Sequence, residues 1–199
     1  NFPSFDEMLQ YVDAVYIATP HLSHYEYSKR AIEAGKHVLC EIPLVLEKEQ
    51  AEELYTLAES KGVILMEAHK TAHCPAFNHL MVMIKSGAIG EVVDIEASLS
   101  RLLPDKTRRE FDAAQAGGSL YESGVYPLLP IFKLLGTGYK KLNIYSRMEN
   151  GVDIYTKGNY TQVTSREFID PNIIYRIRNI ISFYNIARFK IRFNIFNCF

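Results

Sequence analysis

The chain has 199 residues, 48% of them hydrophobic and 23% charged, the balance of a globular protein with a core to bury. Twenty-two Lys and Arg against 23 Asp and Glu give a formal net charge of −1, which argues against nucleic acid or an anionic membrane as a partner. No apolar run approaches the roughly 20 residues of a membrane helix, no leader-like stretch opens the chain, and the three cysteines (Cys40, Cys74, Cys198) contain no C-x-x-C pair. That cysteine usage argues against a disulfide framework or a structural zinc site and for a reducing, cytoplasmic setting.

The chain opens on Asn1 and enters a strand pattern within about 15 residues, so an upstream part is expected to be missing. Residues 15–19 (Val-Tyr-Ile-Ala-Thr), closed by Pro20, read as a strand buried on both faces. Tyr25, Ser28, Ala31 and Ile32 approximate one helical face, with Gly35 placed as a C-terminal stop. Residues 37–40 form a second strand. Ala51, Leu54, Tyr55 and Ala58 mark a helix ended by Lys61-Gly62, and residues 63–66 form a third strand. Strand, helix, strand, helix, strand with short connections is the signature of right-handed crossovers and a parallel sheet.

Beyond Pro75 the pattern changes. Phe77, Leu80, Met81 and Ile84 mark a helix stopped by Gly87 and Gly90. Val93, Ile95, Ala97 and Leu99 then alternate with Asp94, Glu96, Ser98 and Ser100, as in a strand covered on one face. Residues 119–135 read as one apolar helix that Pro127 and Pro130 should kink or delay. Residues 142–148 and 152–156 flank Asn150-Gly151, a two-residue hairpin signal. This second region is expected to present an open sheet face that a partner subunit covers. From Ser165 to Phe199 there is no Gly, Leu or Val, and six basic against two acidic residues give +4. Its Ile, Asn, Phe and Tyr bias suits A/T-rich codons and is read as out-of-frame translation; a basic amphipathic tail is the alternative.

In open parallel sheets, ligands bind beyond the carboxyl ends of the strands. Those ends are Thr19-Pro20-His21, Cys40-Glu41-Ile42-Pro43 and Glu67-Ala68-His69-Lys70. Gly117-Gly118 would admit a close backbone or ligand approach. Glu122 and Tyr126, at i and i+4 beyond it, would place a carboxylate and a phenol side by side for acid/base chemistry. His69 and His73 share helical spacing with Cys74 adjacent, but the zincin glutamate is missing and Pro75 interrupts the helix, so no metal site is expected.

The stretch VDAVYIATPHLSHYEYSKRAIEAGKHVLCEIPL, with GVILMEA, MIKSGAIGEV and GGSLYESGVYPL further on, resembles the Gfo/Idh/MocA family of NAD(P)-dependent oxidoreductases over about residues 5–160. The resemblance implies the C-terminal half of a Rossmann doubly wound parallel sheet, followed by an α+β domain with an open, mostly antiparallel sheet. It divides the chain into a partial dinucleotide-binding domain (1–74), a partial substrate and oligomerisation domain (75–164) and the aberrant tail (165–199). The family's G-x-G-x-x-G turn does not occur in the sequence. By analogy, Thr19, Pro20 and His24 lie near the nicotinamide ribose and Glu41 at the next strand exit, the cofactor being NAD or NADP with NADP slightly favoured. The family's E-K-P motif reads Glu41-Ile42-Pro43, so its catalytic lysine is replaced by isoleucine in a turn whose peptide bond is cis in relatives.

Reducing a carbonyl needs a hydride and a proton from an acid beside the oxygen. The resemblance makes Tyr126 that acid, Glu122 its orienting carboxylate or a substrate contact, and Lys70 a substitute for the missing cation. The implied substrate is a small polyol, sugar or cyclic diol, and the implied assembly a homodimer or larger homo-oligomer through the open sheet. The rival reading is a non-catalytic remnant that only binds a ligand or oligomerises. A metal-dependent hydrolase using His69, His73 and Cys74 comes third.

Overall fold

The computed structural model describes residues 2–90, 92, 94–138, 140–161, 175–176 and 190–194, and two compact units are distinguished. The first comprises Asn1–Lys70 with Ala113–Ala116, the second Thr71–Asp112 with Gly117–Phe199.

The first unit contains α1 (Phe5–Leu9), β1 (Ala14–Ile17), α2 (His24–Glu33), β2 (His37–Cys40), α3 (Lys48–Lys61) and β3 (Leu65–Glu67). The strands lie in the order β1-β2-β3, all parallel, with Ile17 opposite Cys40 and Cys40 opposite Glu67. The crossovers read from the sequence are therefore present. Ser28, Ala31 and Ile32 of α2 and Leu54 and Ala58 of α3 are buried, and Gly62 closes α3 at φ +67°, where a side chain would be strained. Val15, Ile17, Val38, Cys40 and Leu65 join the helices in one core.

One expectation fails here. β1 is not buried on both faces: Val15 and Ile17 point into the core, while Tyr16 is 59% exposed. All three helices pack on one side of the sheet, and strand periodicity sends Tyr16, Leu39 and Met66 to the other. A continuous apolar run alone does not say how many faces are covered.

The second unit contains α4 (Pro75–Lys85), β4 (Asp94–Ser98), α5 (Ser119–Ser123), α6 (Val125–Leu135), β5 (Lys141–Glu149), β6 (Val152–Thr161), β7 (Tyr175–Arg176) and β8 (Lys190–Asn194). β5, β6 and β7 form an antiparallel sheet, and β4 pairs in parallel with β8. Asn150 and Gly151 turn β5 into β6 with φ +52° and +83°, the pair of left-handed residues that a tight hairpin needs. Ile95 packs against Ile131 of α6.

Two further expectations are corrected in this unit. Glu96 should face solvent on a half-covered strand, yet it is 3% exposed, so both sides of β4 are enclosed. The helix read over 119–135 is two helices meeting at Gly124. Pro127 and Pro130 cannot donate to the carbonyls four residues back, and a Cβ on Gly124 would lie 2.5 Å from the Leu120 carbonyl oxygen. The break therefore falls one turn into the helix. Of the 165–199 tail, only the backbone of 175–176 and 190–194 lies inside the described residues.

Candidate functional site

Three strand exits line the carboxyl edge of the parallel sheet. At the first, Thr19 and Pro20 are exposed. The Ser23 hydroxyl donates to the Pro20 carbonyl oxygen at 2.8 Å and lies 2.7 Å from Thr19 Oγ1. His21 is buried, with Nδ1 3.3 Å from the Ala116 carbonyl oxygen.

His24 is enclosed between the first and second exits. It is 1% exposed, with Nδ1 2.8 Å from the Pro43 carbonyl oxygen and Nε2 2.7 Å from that of Thr19. Both ring nitrogens face backbone carbonyl oxygens, which only accept, so a neutral imidazole donates to one of them and an imidazolium to both, tying the first exit to the second.

At the second exit the Ile42–Pro43 peptide bond is cis. Glu41 receives a hydrogen bond from the Tyr16 hydroxyl and a 3.3 Å bond from the Ile42 amide. The carboxylate's hold on the phenolic proton pushes Tyr16 above its ordinary value. Because a carboxylate accepts at about four lone-pair positions, Glu41 retains capacity for a ligand hydroxyl. Cys40 behind it is buried, and burial pushes its thiol up to about 12, which makes it an inert core group. At the third exit Glu67 accepts the Leu44 amide at 2.9 Å. Lys70 is exposed at the start of a short 3-10 turn, Lys70–His73. His69 is buried, His73 and Cys74 are exposed, and no group of three potential ligands is gathered for a metal ion among the described residues.

In the second unit, Glu122 sits on α5 and Tyr126 at the second position of α6, both half-buried. Gly124 between them keeps helical angles (φ −62°, ψ −30°), so the one-turn spacing survives the break. Arg109 clasps Glu122 in two bonds, Nη1 to Oε1 at 2.9 Å and Nη2 to Oε2 at 3.2 Å. Burial raises the Glu122 carboxyl above the ordinary 4.5, with Arg109 opposing the shift. Arg108 holds the buried Glu110 below its ordinary value through a hydrogen bond.

The paired glycines serve the backbone. A Cβ on Gly117 would stand 2.6 and 2.7 Å from the Arg109 and Glu110 carbonyl oxygens. Gly118, at φ +121°, leaves room for the carboxylate of Asp153. That carboxylate accepts from Ser119 Oγ at 2.6 Å, the Leu120 amide at 3.0 Å and Thr156 Oγ1 at 2.5 Å, anchoring the start of α5. A cavity of about 510 Å³ opens beside Glu122, walled by Phe111, Leu128 and Ile154, with Arg101 among its lining. Arg109 and Asp153 escape a sequence reading because their partners lie 13 and 33 or 34 residues away, and Glu67, read as part of the third strand exit, hides its bond to Leu44 in the same way, 23 residues off. The charged run Arg108-Arg109-Glu110 is the one local hint.

Residues 1–69 match the model of the Gfo/Idh/MocA oxidoreductase family, described as having an NAD-binding Rossmann fold. The chain is 34% identical over 166 residues to a dTDP-3,4-didehydro-2,6-dideoxy-alpha-D-glucose 3-reductase from Actinomadura kijaniata, spanning 82% of this chain and 49% of that protein. This chain belongs to the Gfo/Idh/MocA family. It is also 33% identical over 157 residues to trans-1,2-dihydrobenzene-1,2-diol dehydrogenase from Sus scrofa, spanning 76% of this chain and 46% of the relative. Among solved structures, a 3-ketoreductase from Actinomadura kijaniata in complex with NADP and TDP-benzene superposes with a TM-score of 0.71 at 28% identity. That match covers 87% of this chain and 53% of the ketoreductase. The chain thus spans about half the length of the curated relatives it matches. The α/β class, with a Rossmann-like parallel sheet ahead of an antiparallel one, agrees with the sequence reading. Among the described residues, no helix is long and apolar enough to cross a membrane.

Proposed function

We propose that this chain is part of an NAD(P)-dependent oxidoreductase, NADP slightly favoured, that interconverts a secondary alcohol and a carbonyl on a small sugar-like or cyclic diol substrate. The observation that carries the reading is the set of parallel-strand exits around the cis Ile42–Pro43 turn, where open sheets of this class take their ligands. The relatives' activities, those of a sugar 3-reductase and a diol dehydrogenase, support the substrate class. The NADP in the related ketoreductase complex supports the cofactor.

The donor set suits the nicotinamide ribose end of such a cofactor. Thr19 offers an exposed hydroxyl, Pro20 an apolar edge, and Glu41 a carboxylate able to accept a ribose hydroxyl. A bound nicotinamide supplies or takes up the hydride. Tyr126 moves the proton at its phenolic oxygen, and Glu122, held by Arg109, orients a substrate hydroxyl or the phenol. The apolar walls beside Glu122 receive the ring of the substrate and exclude water from it. Lys70 is the candidate cation in place of the family lysine. A homo-oligomer formed through the open sheet, on which Tyr145 is 66% exposed, belongs to the same proposal.

A second reading is favoured by one residue. Ile42 can neither hold a proton nor stabilise a developing anion, so a protein with this turn could bind cofactor without turnover. Titration of the purified chain with NADPH and NADH, followed by nicotinamide fluorescence, tests the cofactor assignment. Saturable binding is expected, and a folded chain that binds neither refutes it. A screen of polyols and diols with Tyr126→Phe as control then separates the readings. Turnover reduced about 10²–10⁴-fold in the variant supports the enzyme, and binding without turnover in either protein supports the second reading.

A further inference from the structure

The turn after β2 leaves the sheet, yet side chains from three other elements meet its polar groups. The Glu41 amide still bonds to the Ile17 carbonyl oxygen at 2.8 Å, the last contact of the ladder with β1. Beyond it the Ile42 amide turns to Glu41 Oε2, a carboxylate itself held by the Tyr16 hydroxyl from β1. Pro43 has no amide proton, and its carbonyl oxygen meets His24 Nδ1 from α2. The Leu44 amide donates to Glu67 Oε1 at the end of β3, and the Cys40 thiol lies 4.0 Å from the Leu44 carbonyl oxygen. Pro43 and Leu44 are buried while Ile42 is half-exposed.

A loop joined to its sheet only by chain continuity would sample many conformations, and fixing each residue costs about 1–2 kcal/mol of backbone entropy. Hydrogen bonds from separately anchored elements offset that entropy. Glu67 reaches across 23 residues and His24 across 19 to do so; the second His24 nitrogen faces the Thr19 carbonyl oxygen, which the ring holds as well when it is an imidazolium with two N–H groups. The residue left without such a hold is the side chain of Ile42.

We propose that Glu67 and His24 are positioning residues which lock the 42–44 turn and, through Thr19, the neighbouring strand exit, so that residue 42 is presented in one fixed place. Calling that place part of a cofactor site rests on the function proposed above; the lock itself does not. Neither residue touches the cofactor in this scheme, and both act through the backbone they hold.

The test compares Glu67→Gln, whose amide oxygen can accept the same bond, with Glu67→Met, similar in length but without an acceptor. In Glu67→Met the Leu44 amide should exchange with solvent about tenfold faster or more, the scale of one lost net hydrogen bond. The Leu39 amide within β2 and the far-ultraviolet circular dichroism should stay as in the parent chain. Glu67→Gln should retain the Leu44 protection. In NADPH titrations Glu67→Met should raise Kd about tenfold and Glu67→Gln should leave it near the parent value. His24→Phe, which keeps a buried ring without donors, should weaken NADPH binding in the same way; should that variant fail to fold, the Glu67 pair decides alone. If the parent chain binds no NADPH while the exchange contrast appears, the cofactor reading falls and the lock stands. Equal Leu44 exchange in Glu67→Met and Glu67→Gln overturns the lock, whatever NADPH does.

Discussion

Gly118→Ala is expected to be among the most damaging single substitutions in the second unit. The native backbone at this position has φ +121° and ψ 153°, a region open essentially to glycine alone. Placing alanine there costs about 1–3 kcal/mol in backbone strain. The new Cβ would also fall well inside 3.0 Å of Asp153 Oδ1, a separation real Cβ atoms do not adopt. Asp153 would have to withdraw from Ser119 Oγ, the Leu120 amide and Thr156 Oγ1. Hydrogen bonds to a charged acceptor contribute about 1.5–3 kcal/mol each, and losses within one cluster are not additive. A total of about 3–6 kcal/mol follows, a large part of the 5–15 kcal/mol typical of a folded domain. Urea unfolding followed by circular dichroism measures it. The reasoning carries an internal check, because Asp153→Ala removes the colliding carboxylate in advance. Gly118→Ala should therefore cost about 1–3 kcal/mol less in that background than in the parent. A loss below about 0.5 kcal/mol for Gly118→Ala, or strict additivity in the double mutant, would refute the argument that Asp153 is why residue 118 is glycine.

The remaining predictions concern charge at the candidate site. If the 42–44 turn is the family's catalytic turn, Ile42→Lys should raise carbonyl reduction about 10²–10⁴-fold in a chain that binds NADPH; an unchanged rate would remove residue 42 from the chemistry. Lys70→Met should abolish turnover and leave NADPH affinity unchanged, and an unaltered kcat would show that Lys70 does not replace the missing cation. Glu110 has a lowered folded pKa, so its stabilising contribution is present above the ordinary 4.5 and is lost as pH falls through the folded value. Glu110→Gln should therefore flatten the acid limb of the thermal stability profile, and an unchanged limb would refute that contribution. Glu122 has the opposite sign: its folded pKa is raised by burial, so ionising it as pH rises above 4.5 disfavours the fold. Glu122→Gln should then gain stability relative to the parent near neutral pH, less whatever its loss costs at Arg109; a gain larger at acidic than at neutral pH would contradict the assignment.

The parallel sheet was legible because its signals are local. Residues 37–40 coincide with β2, Gly62 ends α3, and Asn150-Gly151 makes the hairpin turn. Each follows from a side-chain period or a backbone freedom visible within a few residues. Burial was less legible, as Tyr16 and Glu96 illustrate in opposite directions. Which face of a strand is covered depends on where other elements pack, and that is a property of the whole unit. Pro127 and Pro130 warned of a disturbed helix, but the break lies at Gly124, where close packing on Leu120 admits no side chain. The one-turn spacing of Glu122 and Tyr126 was legible, and Glu67 was marked as part of a strand exit, whereas the bonds of Arg109, Asp153 and Glu67 act over long sequence separations that leave no periodic trace. His24 carried a family signal yet is placed where it faces backbone on both sides. A shared motif can thus mark the residue that builds a site as readily as one that contacts a ligand.

The contrast at residues 41–44 bears on what kind of protein this is. The polar network around the turn is met from β1, α2 and β3, exposed at Tyr16 and buried at His24, and its buried members are destabilising when they lack their partners. Its upkeep is independent of the side chain at position 42, whose amide is bound but whose side chain is half-exposed. The chemistry at that position could therefore change from lysine to isoleucine without disturbing the scaffold. Fold and binding edge can persist after the catalytic cation is gone, and so the scaffold alone does not separate an enzyme from a binding protein. Under the function proposed above, the side chains at 42, 70 and 126 are the ones that would separate them, a cation and an acid beside the reacting oxygen being what carbonyl reduction with a bound nicotinamide calls for. Ile42→Lys and Tyr126→Phe probe those two requirements one at a time. If Ile42→Lys raises the rate and Tyr126→Phe then removes the gain, the two groups act on the same oxygen. If the gain survives loss of the phenol, the proton comes from elsewhere and Tyr126 is a wall of the site.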